Sequence, residues 1–148
     1  MKSIISICIT LFFTFVCACE RVEENYLSEN VEYAAAQYDL LIEKLGKNGK
    51  PWAPRTVDTK GNIVYAHNVW DWTSGFFAGS LWYLYNLTGD EKWKTLAKKY
   101  TETLKQQQYI TSHHDVGFII GCSYLNGMRM GQEAYDTIIV QAAKSLST

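Results

Sequence analysis

Apolar and polar positions alternate along this chain in blocks whose period changes with position. Ile4 to Val16 is an apolar run of 13 residues, broken only by Ser6, Thr10 and Thr14. Glu20 to Asn30 is polar and acidic. Apolar residues then fall at Val31, Ala34, Ala35, Tyr38, Leu41, Ile42 and Leu45, the spacing of one helix face. Ser28 or Asn30 is placed to cap this helix and Gly46 to end it. Lys47 to Ala66 carries Gly49, Pro51, Pro54 and Gly61 and reads as a long irregular region. Such regions are usually functional or disordered, and Trp52, Arg55 and Tyr65 tilt this one towards function.

Four further helices follow from the pattern. Thr73 to Leu87 is apolar on most sides, which places it in an interior. Gly89 stops it, and Asp90 caps an amphipathic helix from Glu91 to about Gln108, with Trp93, Leu96, Ala97, Tyr100 and Leu104 on one face. A polar connection over 109–114 leads to another apolar helix, from about Asp115 to Met130. The last, Glu133 to Leu146, is again amphipathic. The alternation of apolar and amphipathic helices predicts layered helical hairpins without a sheet core.

The hairpins repeat. Shifting the chain by 42 positions lays Gly75-Phe76 on Gly117-Phe118, Gly79 on Gly121, Gly89 on Gly131, Glu91 on Glu133, Trp93 on Tyr135, Leu96 on Ile138 and Leu104 on Leu146. A fixed period of this size marks repeated supersecondary units. Trp72 and Thr73 thereby occupy the place that His114 and Asp115 take in the next unit. Both pairs stand where a helix begins, so one face collects polar and aromatic groups.

Composition changes this picture little. With 47% hydrophobic and 20% charged residues and a formal net charge of -1, the chain has no basic stripe and no expected nucleic-acid partner. Aromatic residues are abundant, with five Trp and ten Tyr; such rings fill cores and also stack on ligands. Lys2 and the apolar run suit an export signal, since a membrane span needs roughly 20 apolar residues. The ending Val16-Cys17-Ala18-Cys19 resembles a bacterial lipobox, by which Cys19 would carry lipid; a plain cleaved signal is the other reading. The expected location is the bacterial cell envelope, periplasm or cell surface, with the membrane reached through the lipid anchor only. Cys122 is then the one thiol of the folded part, too few for a disulfide framework, and is read as a small buried hydrophobe.

Candidate chemistry gathers at the helix starts. Asp115 is placed to cap its helix or to act on a substrate. His114 could orient a substrate or face solvent, and His113 is expected to point elsewhere. Trp72 stands at the equivalent rim, whereas Trp70, Trp82 and Trp93 read as core. Three histidines without paired ligand spacing fall short of a metal shell. No metal and no cofactor are expected.

The run Trp72-Thr73-Ser74-Gly75-Phe76-Phe77-Ala78-Gly79-Ser80-Leu81-Trp82-Tyr83, with His114-Asp115-Val116-Gly117-Phe118, resembles the unsaturated glucuronyl hydrolases, glycoside hydrolase family 88. Leu87-Thr88-Gly89-Asp90-Glu91-Lys92-Trp93 and Ala142-Ala143-Lys144-Ser145-Leu146 fit as well, so the resemblance covers nearly all of Pro54 to Thr148. The sister unsaturated rhamnogalacturonyl hydrolases share part of the pattern, but the His-Asp-Val-Gly-Phe run argues against them.

The resemblance implies an all-α fold of helical hairpins belonging to an (α/α)6 barrel. Six hairpins of this repeat need on the order of 300 residues, and the chain stops at Thr148 without a polar capping repeat. It therefore reads as an N-terminal part: a lipoprotein signal over 1–18, a tether over 19–30, and barrel hairpins over 31–148. The implied activity removes a 4,5-unsaturated uronic acid from oligosaccharides released by lyases. An acid protonates C4 of the enol ether, water adds at C5, and the hemiketal collapses; the two-carboxylate attack at an anomeric carbon is not used. The resemblance makes Asp115 one of two essential aspartates and Trp72 a substrate-binding residue; His114, beside Asp115, is the other candidate for substrate binding. The resemblance places the second aspartate outside this chain; Asp136, the one later aspartate, lies on an outer amphipathic helix and is not taken for it. The partner is an unsaturated oligosaccharide; oligomeric state stays open. The chain alone is expected to be inactive. A non-catalytic helical-repeat lipoprotein binding glycan or protein is the alternative.

Overall fold

The computed structural model describes residues 25–46, 52–66 and 71–148. Cys19 with its signal segment, and Trp70, lie outside them. The chain divides into two units, residues 1–42 and 43–148. Helical residues run over 25–46 (α1), starting earlier than the apolar stripe. Ser28 and Asn30 are consequently not caps: Ser28 Oγ donates to the Asn25 carbonyl and Asn30 Nδ2 to the Tyr26 carbonyl, inside the helix. The stripe itself holds, since Val31, Ala34, Ala35, Tyr38, Leu41, Ile42 and Leu45 are less exposed than the positions between them.

In the second unit, the region read as irregular contains a hairpin. Strand Ala53–Val57 (β1) pairs antiparallel with Ile63–Ala66 (β2). The turn explains it. Asp58 accepts from the Gly61 N–H through its carbonyl, and Gly61 sits at φ +80°. This is the three-residue loop in which a turn is followed by a left-handed glycine. The Asp58 carboxylate adds bonds from the N–H groups of Lys60 and Asn62, each 2.8 Å, and from Asn62 Nδ2 at 2.9 Å. Pro54 is tolerated because a two-stranded sheet has only edge strands.

The helices follow the repeat. A 3-10 turn, Trp72–Gly75, leads into Phe76–Thr88 (α2), and Glu91–Glu102 (α3) folds back beside it. Gly89, at φ +68°, closes α2 by donating to the Tyr85 carbonyl, and Asp90 caps α3 through the Lys92 N–H at 2.9 Å. The helix starting at Glu91 stops at Glu102, short of the expected Gln108, and a 3-10 turn takes Lys105–Tyr109. In the next unit Val116–Ile120 (α4), a π-helical turn Gly121–Leu125 and Asn126–Arg129 (α5) follow one another. Gly131, at φ +87°, repeats the role of Gly89, and Asp136–Leu146 (α6) is the last described helix.

Aromatic packing joins the two hairpins. Trp82 and Trp93 are almost fully buried, and the Trp82 indole N–H donates to Thr101 Oγ1 at 3.0 Å, so the polar edge of the ring is satisfied. Tyr135, the repeat equivalent of Trp93, packs edge-on to Tyr124 and Trp82, with centroids 4.8 and 6.4 Å apart. Ser145 Oγ donates to the Gln108 carbonyl at 2.7 Å and ties α6 to the 3-10 turn Lys105–Tyr109. One expectation for α2 needs correction. Phe76, Tyr83 and Leu87 are exposed along one edge of that helix, so its apolar character does not bury it on every side.

Candidate functional site

The first cluster is organised by Asp71. Its Oδ1 accepts from the N–H and the hydroxyl of Thr73, which caps the turn carrying Trp72. Its Oδ2 lies 3.3 Å from Arg55 Nη1. The Asp71 side chain is 7% exposed and that of Arg55 50%. Arg55 reaches it because it is a bulge. Cross-strand partners run Pro54 to Tyr65 and then Thr56 to Val64, leaving Arg55 unmatched; an extra residue of this kind re-aims its side chain.

The second cluster is organised by Asp115. At the start of α4 it has helical backbone angles and makes no side-chain capping bond, so the capping reading is not what the residue does. Its carboxylate lies between two imidazoles, 3.4 Å from His114 Nε2 and 3.9 Å from His113 Nδ1. The expectation that His113 points elsewhere is thereby corrected. His113 is the more enclosed of the pair, with 13% side-chain exposure against 89% for His114. Its position directly before His114-Asp115 was the available signal.

Aromatic rings join the two clusters. Trp72 stands edge-on to Phe76, with centroids 5.4 Å apart, and to Phe118, 5.8 Å apart. Phe118 lies one turn beyond Asp115 and donates its N–H to the Asp115 carbonyl. The repeat thus brings Trp72 beside the turn that carries Asp115. Trp72, Phe76 and Phe118 keep 43%, 38% and 49% of their surface exposed, an apolar platform next to a carboxylate. Phe76 and Phe118 were read only as repeat markers; their alignment across the 42-residue shift was the clue to a shared rim.

Other carboxylates are occupied locally. Asp58 is held below its ordinary range, chiefly by the Asn62 side chain and backbone. Asp136 accepts from the Thr137 N–H on exposed surface. Cys122 is partly exposed rather than buried, and what burial it has pushes its thiol upward. Among the described residues no three His, Cys, Asp or Glu side chains gather as a metal shell, and no helix is long and apolar enough to cross a membrane.

Known proteins match this chain closely enough to place it. A model of glycosyl hydrolase family 76 matches residues 29–147. An unsaturated glucuronyl hydrolase of Formosa agariphila is 28% identical across the whole chain, which covers 39% of that relative. One from a Bacillus species is 35% identical over 47% of this chain and 19% of its own length. An unsaturated chondroitin disaccharide hydrolase of Streptococcus agalactiae is 29% identical over 63% of the chain and 23% of its own. A crystal structure of an unsaturated glucuronyl hydrolase specific for heparin superposes with a TM-score of 0.61 at 39% identity, covering 65% of this chain and 26% of that one.

The chain spans well under half the length of each of these relatives. Their names agree with the sequence resemblance, while the family model carries the number 76 rather than 88. Both are glycoside hydrolase families, and the helical hairpins are those of the α/α-barrel fold. The chain belongs to glycosyl hydrolase family 76 by the model that matches it, and the relatives it resembles are named unsaturated glucuronyl hydrolase or unsaturated chondroitin disaccharide hydrolase.

Proposed function

We propose that this chain carries the Trp72, His114 and Asp115 part of a hydrolase that removes a 4,5-unsaturated uronic acid from oligosaccharides. The observation that carries the reading is the exposed Trp72–Phe118 platform beside Asp115, whose carboxylate is free of capping bonds and faces two imidazoles. Exposed aromatic faces suit a sugar ring. A carboxylate flanked by imidazoles suits taking a proton from water as it adds to the enol ether. Asp58, Asp71 and Asp136 are committed to local bonds. The second carboxylate is assigned to the length of the relatives that this chain does not span.

The test is a titration of an unsaturated uronyl disaccharide against the chain, with the saturated disaccharide as control. Turnover is then followed as loss of the enol ether's ultraviolet absorbance in a protein extended to the relatives' length. Preferential binding of the unsaturated sugar and turnover in the extended protein are expected. Equal binding of both sugars, with no turnover, would sink the reading.

The second part of the proposal is export with lipid attached at Cys19, motivated by Val16-Cys17-Ala18-Cys19 after the apolar run. The intact mass of the protein recovered from membranes should show acylation at Cys19. An unmodified product cleaved at another position would remove it.

A further inference from the structure

We infer that Arg55 and Asp71 are positioning residues for Trp72, so that the hairpin sets the orientation of the platform's indole. This deepens the proposed function and rests on it for the identity of the sugar. Three features converge. The bulge leaves Arg55 without a cross-strand partner and turns its side chain to Asp71. The two oxygens of Asp71 have separate tasks, Oδ1 holding the Thr73 N–H and Oδ2 holding Arg55. Between Asp71 and Thr73 in the chain stands Trp72, whose ring is 43% exposed and meets Phe76 and Phe118 only edge-on.

The rotamers open to an exposed indole depend on the backbone that carries it, so fixing that backbone on both sides of Trp72 narrows them. The carboxylate fixes both sides at once, from the strand through Arg55 and from the turn through Thr73. Ionised groups make the stronger hydrogen bonds, and Asp71 is nearly enclosed while Arg55 is half exposed, so the pair is partly rather than fully screened. A sugar stacking on Trp72 then meets a ring already in place, which removes an ordering cost from binding.

Asp71→Asn keeps an acceptor for the Thr73 N–H and loses the charge facing Arg55, and Arg55→Gln loses it from the other side. Both variants, Arg55→Lys and the double variant are made in the full chain labelled with 5-fluorotryptophan, with Trp72→Phe assigning the resonance. In both single variants the Trp72 fluorine resonance is expected to shift and broaden while those of Trp82 and Trp93 stay put. Affinity for the unsaturated disaccharide should fall about two- to threefold, less than loss of the Trp72 ring itself costs, Arg55→Lys should recover part of it, and the double variant should be no worse than either single one. A lowered melting temperature with an unmoved Trp72 resonance would make the pair a staple of the fold and overturn the inference. If the parent chain binds no unsaturated disaccharide, the substrate reading falls instead, and the Trp72 resonance still decides the positioning role.

Discussion

A methyl group placed on Gly75 would stand 2.3 Å from the carbonyl oxygen of Ile119, where the turn before α2 meets α4. Gly79, one turn on, would bring a methyl to 2.6 Å from the Cys122 carbonyl. These contacts are with backbone, which cannot swing aside as a side chain can. Gly75→Ala should therefore destabilise the chain by about 1–3 kcal/mol, read as a lower midpoint in urea. Gly121, the repeat partner of Gly79, meets nothing within 4 Å and has helical angles. Gly121→Ala should be neutral or stabilising by up to about 1 kcal/mol. Equal losses at both sites would show that the close approach is not what Gly75 is for.

Trp72 offers its exposed face while its edge contacts hold Phe76 and Phe118. Trp72→Ala should weaken binding of the unsaturated disaccharide by about three- to tenfold, with Trp72→Phe intermediate. The melting temperature should change little, because the ring is not enclosed. A large melting shift with unchanged affinity would return Trp72 to the core residues.

The parts legible beforehand were those with a strong local code. Gly89 and Gly131 follow from their place after apolar helices, Asp90 from the capping rule, and the partnership of Trp93 with Tyr135 from the repeat. The hairpin was missed because Pro54, Gly61 and the polar turn broke the helical period, and the short β-branched runs around Asp58 to Asn62 were not weighed as strands. The same oversight left Arg55 as one of three residues tilting the loop towards function, without its contact to Asp71, which depends on a bulge that composition does not announce. His113 was misjudged because a helix period ranks neighbours by face, and the two histidines precede the helix, where that period does not apply. Capping propensity likewise favoured Asp115 as a cap, yet the cap of this kind belongs to Asp71 in the preceding unit.

The hairpin turn should respond to acid. Hydrogen bonds from Asn62, with smaller ones from Lys60 and Gly61, hold the Asp58 carboxyl below its ordinary value of 3.8. A group whose folded value is depressed stabilises the fold above its unfolded value and loses that contribution as pH falls through the folded one. The turn should thus be intact from neutral pH down to about 4, near the unfolded aspartate value, and loosen below it. Amide shifts of Lys60 and Asn62 in an acid titration should move together there, and in Asp58→Asn this shared step should vanish. A step that persists in the variant would assign the change to another group.

Asp115 carries the sharpest chemical prediction. Its side chain makes no capping bond, so Asp115→Asn removes only the charge that faces His113 and His114. The melting temperature should change little, because Asn is of the same size and no capping bond is lost. In a protein of the relatives' full length, loss of the unsaturated uronate's absorbance should slow by about a hundredfold or more, the scale of general acid–base assistance. Binding of the disaccharide should persist, since the platform is untouched. The 148-residue chain itself should show no turnover, because no second carboxylate among its described residues is left uncommitted beside the site. Turnover by this chain alone at enzymatic rates would require an unassigned acid, and normal turnover in Asp115→Asn would take the chemistry away from Asp115 altogether.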